Sequence, residues 1–231
     1  QEIDGMTKIN LNNGFLDPTM MREKLFLDIM TSNGYPAPRC TYAKVSYNGQ
    51  YCGLFKIVEQ VDKAFLKTHF GNKDGNLFKG DPSGTLEWKG SDPSAYYQQY
   101  ELKNNDSLND WRDLVNFIRI VNAEQDAFSS EIQGAFNVSS YLKMWAMNNV
   151  FVNLDAYYYL AHNYYIYHNT ATDRFDWITW DISTVFGVFP LWSETKALNL
   201  DLLYIPKNED TRPLSKNFLN NDTYRFEYLS Y

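Results

Sequence analysis

Three side chains with oxygen to offer gather around one stretch of the carboxy-terminal half: Asp155 in Asn153-Leu-Asp155, then Asn163, then Asp181 in Trp180-Asp181. Asn163 to Tyr167 and Phe175 to Thr179 read as two strands joined by His168-Asn-Thr-Ala-Thr-Asp173. Asn163 therefore opens one strand and Asp181 follows the other. A hairpin with a polar residue at each mouth aims side chains at one point. Two carboxylates and an amide suit a Mg²⁺-nucleotide, because hard divalent cations take oxygen ligands from one or two carboxylates and leave the rest to phosphates and water. A further Asp beside the transferred group can orient a hydroxyl nucleophile. Asp and Asn at strand ends also serve as turn residues that bond local backbone, and spacing alone leaves both readings open.

The elements that must position these residues are legible in outline. Asp17-Pro18, followed by Thr19, Met21, Leu25 and Ile29 and closed by Asn33-Gly34, predicts a helix with Asp17 as N-cap, Pro18 at the first position and Gly34 as C-cap. Residues 41–47, Asn48-Gly49 and residues 50–58 predict a hairpin with a two-residue turn. A short helix follows Asp62 and ends at Gly71, and Gly75 to Gly80 reads as a turn and strand. Residues 81–98 read as loop with a strand at Thr85 to Trp88, and Tyr100 to Lys103 as one more strand of the hairpin's sheet. Trp111, Leu114, Val115, Ile118 and Val121 recur at helical spacing behind Ser107-Leu-Asn-Asp110, giving a helix over about 108–123. A second runs from about Val138 to Val150. The fold class is α+β: one domain over 1–231, with a sheet-rich lobe to about 105 and a helical lobe over 106–231 that carries the second hairpin.

Composition narrows the function. The 231 residues, 44% hydrophobic, suffice for a substantial core. No run of about 18 apolar residues occurs, since Asn148, Asn149, Asn153 and Asp155 interrupt the most apolar part, so no membrane span is expected. The net charge of −7 comes with scattered cations, which argues against nucleic acid polymers and leaves nucleotides open. Cys40 and Cys52 lack zinc-site spacing. In the expected register Cys52 faces Val45 and Cys40 faces Ile57, which implies no direct cross-strand disulfide. Gln1 without a basic or apolar leader and an aromatic last stretch lead us to expect a mature or excised chain lacking part of the native protein. Aromatic and Asn-rich composition fits an exported protein, and sequons at Asn105, Asn137 and Asn221 are expected by chance in so Asn-rich a chain.

Three ordered motifs carry a resemblance. NLDAYYYLAHNYYIYHNTATDRFDWITWDISTVFG resembles the signature of CotH kinases, an Asn-x-Asp run before an Asn-Tyr-Tyr-x-Tyr strand and a Trp-Asp-x-Asp-x-x-Phe-Gly closure. TYAKVSYNGQYCGLFKIVEQVD resembles that family's hairpin and GNLFKG its Gly-Asn-Leu-Tyr-Lys motif, over roughly residues 15–230. The resemblance implies an atypical protein kinase-like fold that binds ATP with Mg²⁺ or Mn²⁺ and phosphorylates Ser or Thr of protein substrates that are secreted or belong to a coat or surface.

Carried over residue by residue, it makes Asp155 the catalytic-loop aspartate and Asn163 and Asp181 the metal ligands. Lys79 is the expected phosphate lysine, with Lys103 as competitor, and Glu59 the carboxylate that pairs with it. Trp180 packs the core or stacks on adenine. Ser183 stands where the family often has a second Asp, which removes a possible metal ligand. No Gly-x-Gly-x-x-Gly loop is present, so other groups must grip the nucleotide. His162, beside Asn163, is within reach of the site, although a lone His more often donates structurally. Two other classes remain: a surface, coat or adhesion protein whose catalysis has lapsed, and a glycosidase using Asp155 and Asp181 as paired carboxyls.

Overall fold

The computed structural model describes residues 8–188, 194–205 and 211–231. Asn48 and Gly49 both adopt left-handed backbone, φ 49° and 79°, and so close β2 (Cys40–Tyr47) onto β3 (Gln50–Glu59) as the Asn-Gly pair predicts. The register corrects the expectation by one residue. Val45 pairs with Gly53 and Ser46 with Tyr51, so Cys52 is bulged out and Cys40 lies opposite Val58 rather than Ile57. Gly53, at φ 145°, supplies a conformation that L side chains rarely adopt. Both cysteines are free thiols. β1 (Ile9–Asn12) pairs with the far edge of β3, giving a sheet in the order β1-β3-β2.

α1 (Arg22–Ser32) packs against this sheet through Phe26, Leu27 and Met30. It begins four residues later than Asp17 suggests, because Leu16 and Met20 take positive φ and residues 17–20 form a turn. Asp17 still reaches forward and accepts the Arg22 N–H at 3.0 Å. At the other end Asn33 is the cap and Gly34 follows at φ 76°. The Gly34 and Tyr35 amides bond the carbonyls of Thr31 and Met30, which satisfies the last turn.

β4 (Leu77–Gly80) follows α2 (Lys63–Phe70), a helix capped by the Asp62 carboxylate and ended by left-handed Gly71 as expected. β5 (Tyr100–Leu102) does not extend the hairpin's sheet. It joins β4, β6 (Tyr164–Asn169) and β7 (Arg174–Thr179) in a second antiparallel sheet, β5-β4-β6-β7. That sheet draws two strands from each side of residue 105. No strand forms at residues 85–88, and a single 3₁₀ turn spans Pro93–Tyr96.

One face of the second sheet, through Leu77, Tyr165, Tyr167 and Ile178, packs on Phe65 and Leu66 of α2. The other faces the helical layer: α3 (Arg112–Val121), α4 (Gln125–Ala135), α5 (Val138–Val150), the short α6 (Tyr157–Leu160), α7 (Glu194–Leu198), α8 (Pro213–Asn220) and α9 (Asp222–Ser230). α3 starts at Arg112 rather than near 108, because Asn105 and Asn109 take left-handed turns and the Asp110 carboxylate, not Ser107, accepts the Arg112 N–H. Tyr164 stacks on Trp177 at 4.1 Å, and Tyr141 of α5 meets Trp177 edge-on at 5.0 Å. Such aromatic pairs add about 0.5–1.5 kcal/mol each beyond their buried area. They lock the β6–β7 hairpin to α5 and so fix where its mouth points. Among the described residues no helix is long and apolar enough to cross a membrane.

Candidate functional site

The hairpin mouth forms as its sequence implies. The Trp180 N–H bonds the Asn163 carbonyl at 3.0 Å, so Asn163 and Trp180-Asp181 sit across one opening. Asp155 reaches the same place through α6. The Asn163 side-chain amide donates to the Asp155 carbonyl at 3.0 Å, and His162 Nε2 meets Asp155 Oδ1 at 2.5 Å. The segment before Asp155 is pinned from two directions. Phe186 and Gly187 amides bond the carbonyls of Phe151 and Val152, while buried Asn153 donates to Asn148 Oδ1 at 2.6 Å. Asn153 therefore builds the scaffold of the loop. Asp181 adopts φ 45°, a region Asp enters more readily than most residues, and Ser183 Oγ donates to its Oδ1 at 3.2 Å.

A cleft of about 470 Å³ opens beside Asp181 and Ser183, walled by Trp180 and Phe55 and bordered by Asn12 to Phe15. Its floor holds two charged residues absent from the expected site. Lys56 on β3 is 0% exposed and its Nζ lies 3.1 Å from Glu23 Oε2 of α1, itself 2% exposed, and 3.5 Å from Asp17. Neither approach has hydrogen-bond geometry, so the ammonium donors stay unpaired among the described residues. Asn12 is the cross-strand partner of Lys56, and its amide donates to both Glu23 oxygens at 3.1 and 3.3 Å. Burial alone would raise Asp17. Hydrogen bonds from Thr19 and the Arg22 amide, with the charges of Lys56 and Arg22, outweigh it and hold this carboxyl below the ordinary range.

The expected lysine–glutamate pair is not formed. Glu59 is bound by the Arg39 guanidinium at 2.7 Å, the Arg39 amide at 3.0 Å and His69 at 3.3 Å. Its burial raises the carboxyl, but the bonds from His69 and Arg39 outweigh that and bring it to about 2. Lys79 pairs with Asp81. Lys79 lies opposite Tyr165 at the end of the second sheet that carries Asn163, outside the cleft that holds Lys56. Lys103 pairs with Glu101, and its amide bonds Leu77 at the opposite end of that sheet. Trp180 lines the cleft and meets Tyr165 edge-on at 5.7 Å.

The full chain, residues 1–231, matches the family model described as CotH kinase protein. The chain belongs to the CotH kinase protein family. It is also 30% identical over 191 residues to the inner spore coat protein H of Bacillus subtilis (strain 168), an alignment covering 79% of this chain and 51% of that protein. The chain thus spans about half the length of the curated relative it matches.

Within this CotH family chain, the Lys56–Glu23 pair left a signal that the motifs obscured. Lys56 and Val58, two residues apart, share one face of β3, and Val58 is 2% exposed, so a cation occupies an inward position. Glu23 precedes Phe26, Leu27 and Met30 at helical spacing and so lies on the apolar stripe of α1. Two opposite charges, each on a face reserved for apolar groups, must meet or be expelled. Among the described residues no group of three or more His, Cys, Asp and Glu is placed to hold a metal ion.

Proposed function

We propose that this chain is an ATP- and divalent-metal-dependent phosphotransferase with a protein kinase-like arrangement, acting on Ser or Thr of coat, surface or secreted proteins. The observation that carries the reading is the buried Lys56–Glu23 pair lining the cleft that also holds Asp181. A cation costs several kcal/mol to bury and persists only with compensation. Ammonium donors without a hydrogen-bond partner, lining a cleft, are a site for phosphate oxygens. In this assignment Lys56, rather than Lys79 or Lys103, takes the phosphates and Glu23, rather than Glu59, holds that lysine. Asn12 braces Glu23, and Trp180 and Phe55 offer aromatic walls for a base.

Asp181 and Asn163 would hold Mg²⁺ or Mn²⁺, which when bound neutralises phosphate charge. The remaining work belongs to the chain. Lys56 orients the phosphates, Asp155 takes the acceptor hydroxyl into line, and residues 12–15 border the nucleotide's side of the cleft. The test is phosphate transfer from ATP to the protein itself or to a Ser-rich protein, with Asp155→Ala as control. Absence of transfer refutes the reading, whether or not the nucleotide stabilises the chain.

A second reading has its own support. Ser183 replaces a possible carboxylate ligand and spends its hydroxyl on Asp181, and the relative is named as an inner spore coat protein. A lapsed kinase-like domain with a structural place in a coat fits both. Retention of ATP-induced stabilisation in the wild-type chain separates the two, because only a ligand of the folded state raises its melting point.

A further inference from the structure

Residues 161–163 wrap Asp155, and the backbone leaves its ordinary range to do so. α6 ends at Ala161 in left-handed conformation, φ 59°, and Asn163 adopts φ 59° as well. Neither is glycine, so each is held there by its surroundings at a conformational cost. The two turns bracket His162 and return it toward the start of the loop. Its Nε2 meets Asp155 Oδ1 at 2.5 Å while the next residue's amide takes the Asp155 carbonyl. A carboxylate oxygen accepts, so Nε2–H is the donor. Among the described residues no other group bonds the Asp155 carboxylate, which leaves Oδ2 open.

We propose that His162 is a positioning residue for Asp155, holding Oδ1 so that Oδ2 is the oxygen presented to the acceptor hydroxyl. The proposal rests on the phosphotransferase reading of Asp155. Torsion about the last bond of an Asp side chain is broad and roughly two-fold, so a carboxylate without an anchor exchanges its oxygens and samples unproductive angles. One hydrogen bond to one oxygen removes that freedom before substrate arrives. The more ordinary role for His162 is to staple its own turn. The two roles differ in which atom matters. A Gln amide reaches the place of Nε2, whereas an Asn amide reaches only that of Nδ1.

The test uses the full chain with ATP, Mg²⁺ and a Ser-rich acceptor protein. His162→Ala is expected to lower kcat about 10- to 100-fold with KM for ATP within about 2-fold. His162→Gln recovers most of that loss and His162→Asn does not. Wild-type kcat in His162→Ala, or equal turnover in the Gln and Asn variants, overturns the proposal. Proton–nitrogen correlation NMR of the imidazole gives a readout independent of turnover: a downfield, protected Nε2–H signal that is lost in Asp155→Ala. A signal that Asp155→Ala leaves unmoved overturns the contact itself. A wild-type chain that transfers no phosphate while its imidazole signal responds to Asp155→Ala refutes the phosphotransferase reading, and the catalytic part of this role falls with it.

Discussion

Removing one member of the Lys56–Glu23 pair separates burial from function. Glu23→Gln leaves a fully buried ammonium whose nearest remaining carboxylate is Asp17 at 3.5 Å, and Asp17 is already shared with Arg22 and Thr19. Breaking a buried pair from one side costs about 3–5 kcal/mol. With Asp17 offsetting part of the loss, we expect about 3 kcal/mol. Replacing both residues by apolar groups of similar volume, Lys56→Met with Glu23→Leu, should change stability by only about 1 kcal/mol, because the desolvation cost disappears with the charges. The assay is urea unfolding with and without ATP and Mg²⁺. Nucleotide at about 100 times Kd adds about 2.7 kcal/mol to the wild-type chain, or about 5–10 °C in Tm for a protein of this length. The double variant should keep its urea midpoint and lose that shift. A double variant that retains the full nucleotide shift refutes the assignment of this pair to the phosphates, whatever its stability.

The remaining predictions probe other parts of the same chain. Glu59, brought to about 2 from an ordinary 4.5, contributes about 3 kcal/mol. That stability is present above 4.5 and lost as pH falls toward 2, so Glu59→Gln should flatten the acid limb of a urea-midpoint profile. His168 is held above its ordinary 6.5 chiefly by its hydrogen bond to Asp113, against burial and with help from Asp173. Its contribution is complete below 6.5 and lost as pH rises through the folded value, and His168→Asn should remove that slope above pH 6.5 in a urea-midpoint profile. Asn12→Ala strips two hydrogen bonds from Glu23 and should cost about 1–3 kcal/mol in urea while reducing the ATP-induced shift. Ser183→Asp restores an oxygen ligand beside Asp181. It should tighten metal-dependent nucleotide binding in calorimetry, and unchanged affinity would count against a metal at Asp181.

Local chemistry was legible in the chain. Asn48-Gly49 allowed few conformations besides a two-residue hairpin turn, Asp62 and Gly71 bounded α2, and the strands flanking 168–173 were readable as a hairpin with Asn163 and Trp180-Asp181 at its mouth. These features depend on the φ preferences and hydrogen-bonding reach of neighbouring residues, which travel with the sequence. α4 was harder, because Ser129, Ser130 and Gly134 thin its helical signal around Phe128 and Ile132. Partners distant in sequence were decided only by the tertiary structure. Whether β5 joined the first sheet or the second depended on which edge of β4 was free, and no pattern within three residues records that. The Cys52 bulge changed the pairing of β2 with β3 and put Cys40 opposite Val58. Glu59 and Lys79 had suitable types at suitable strand positions, yet Arg39, His69 and Asp81 lay nearer. Lys56 and Glu23 instead met because each occupied an inward face, and two charges driven into one core find their stability in each other.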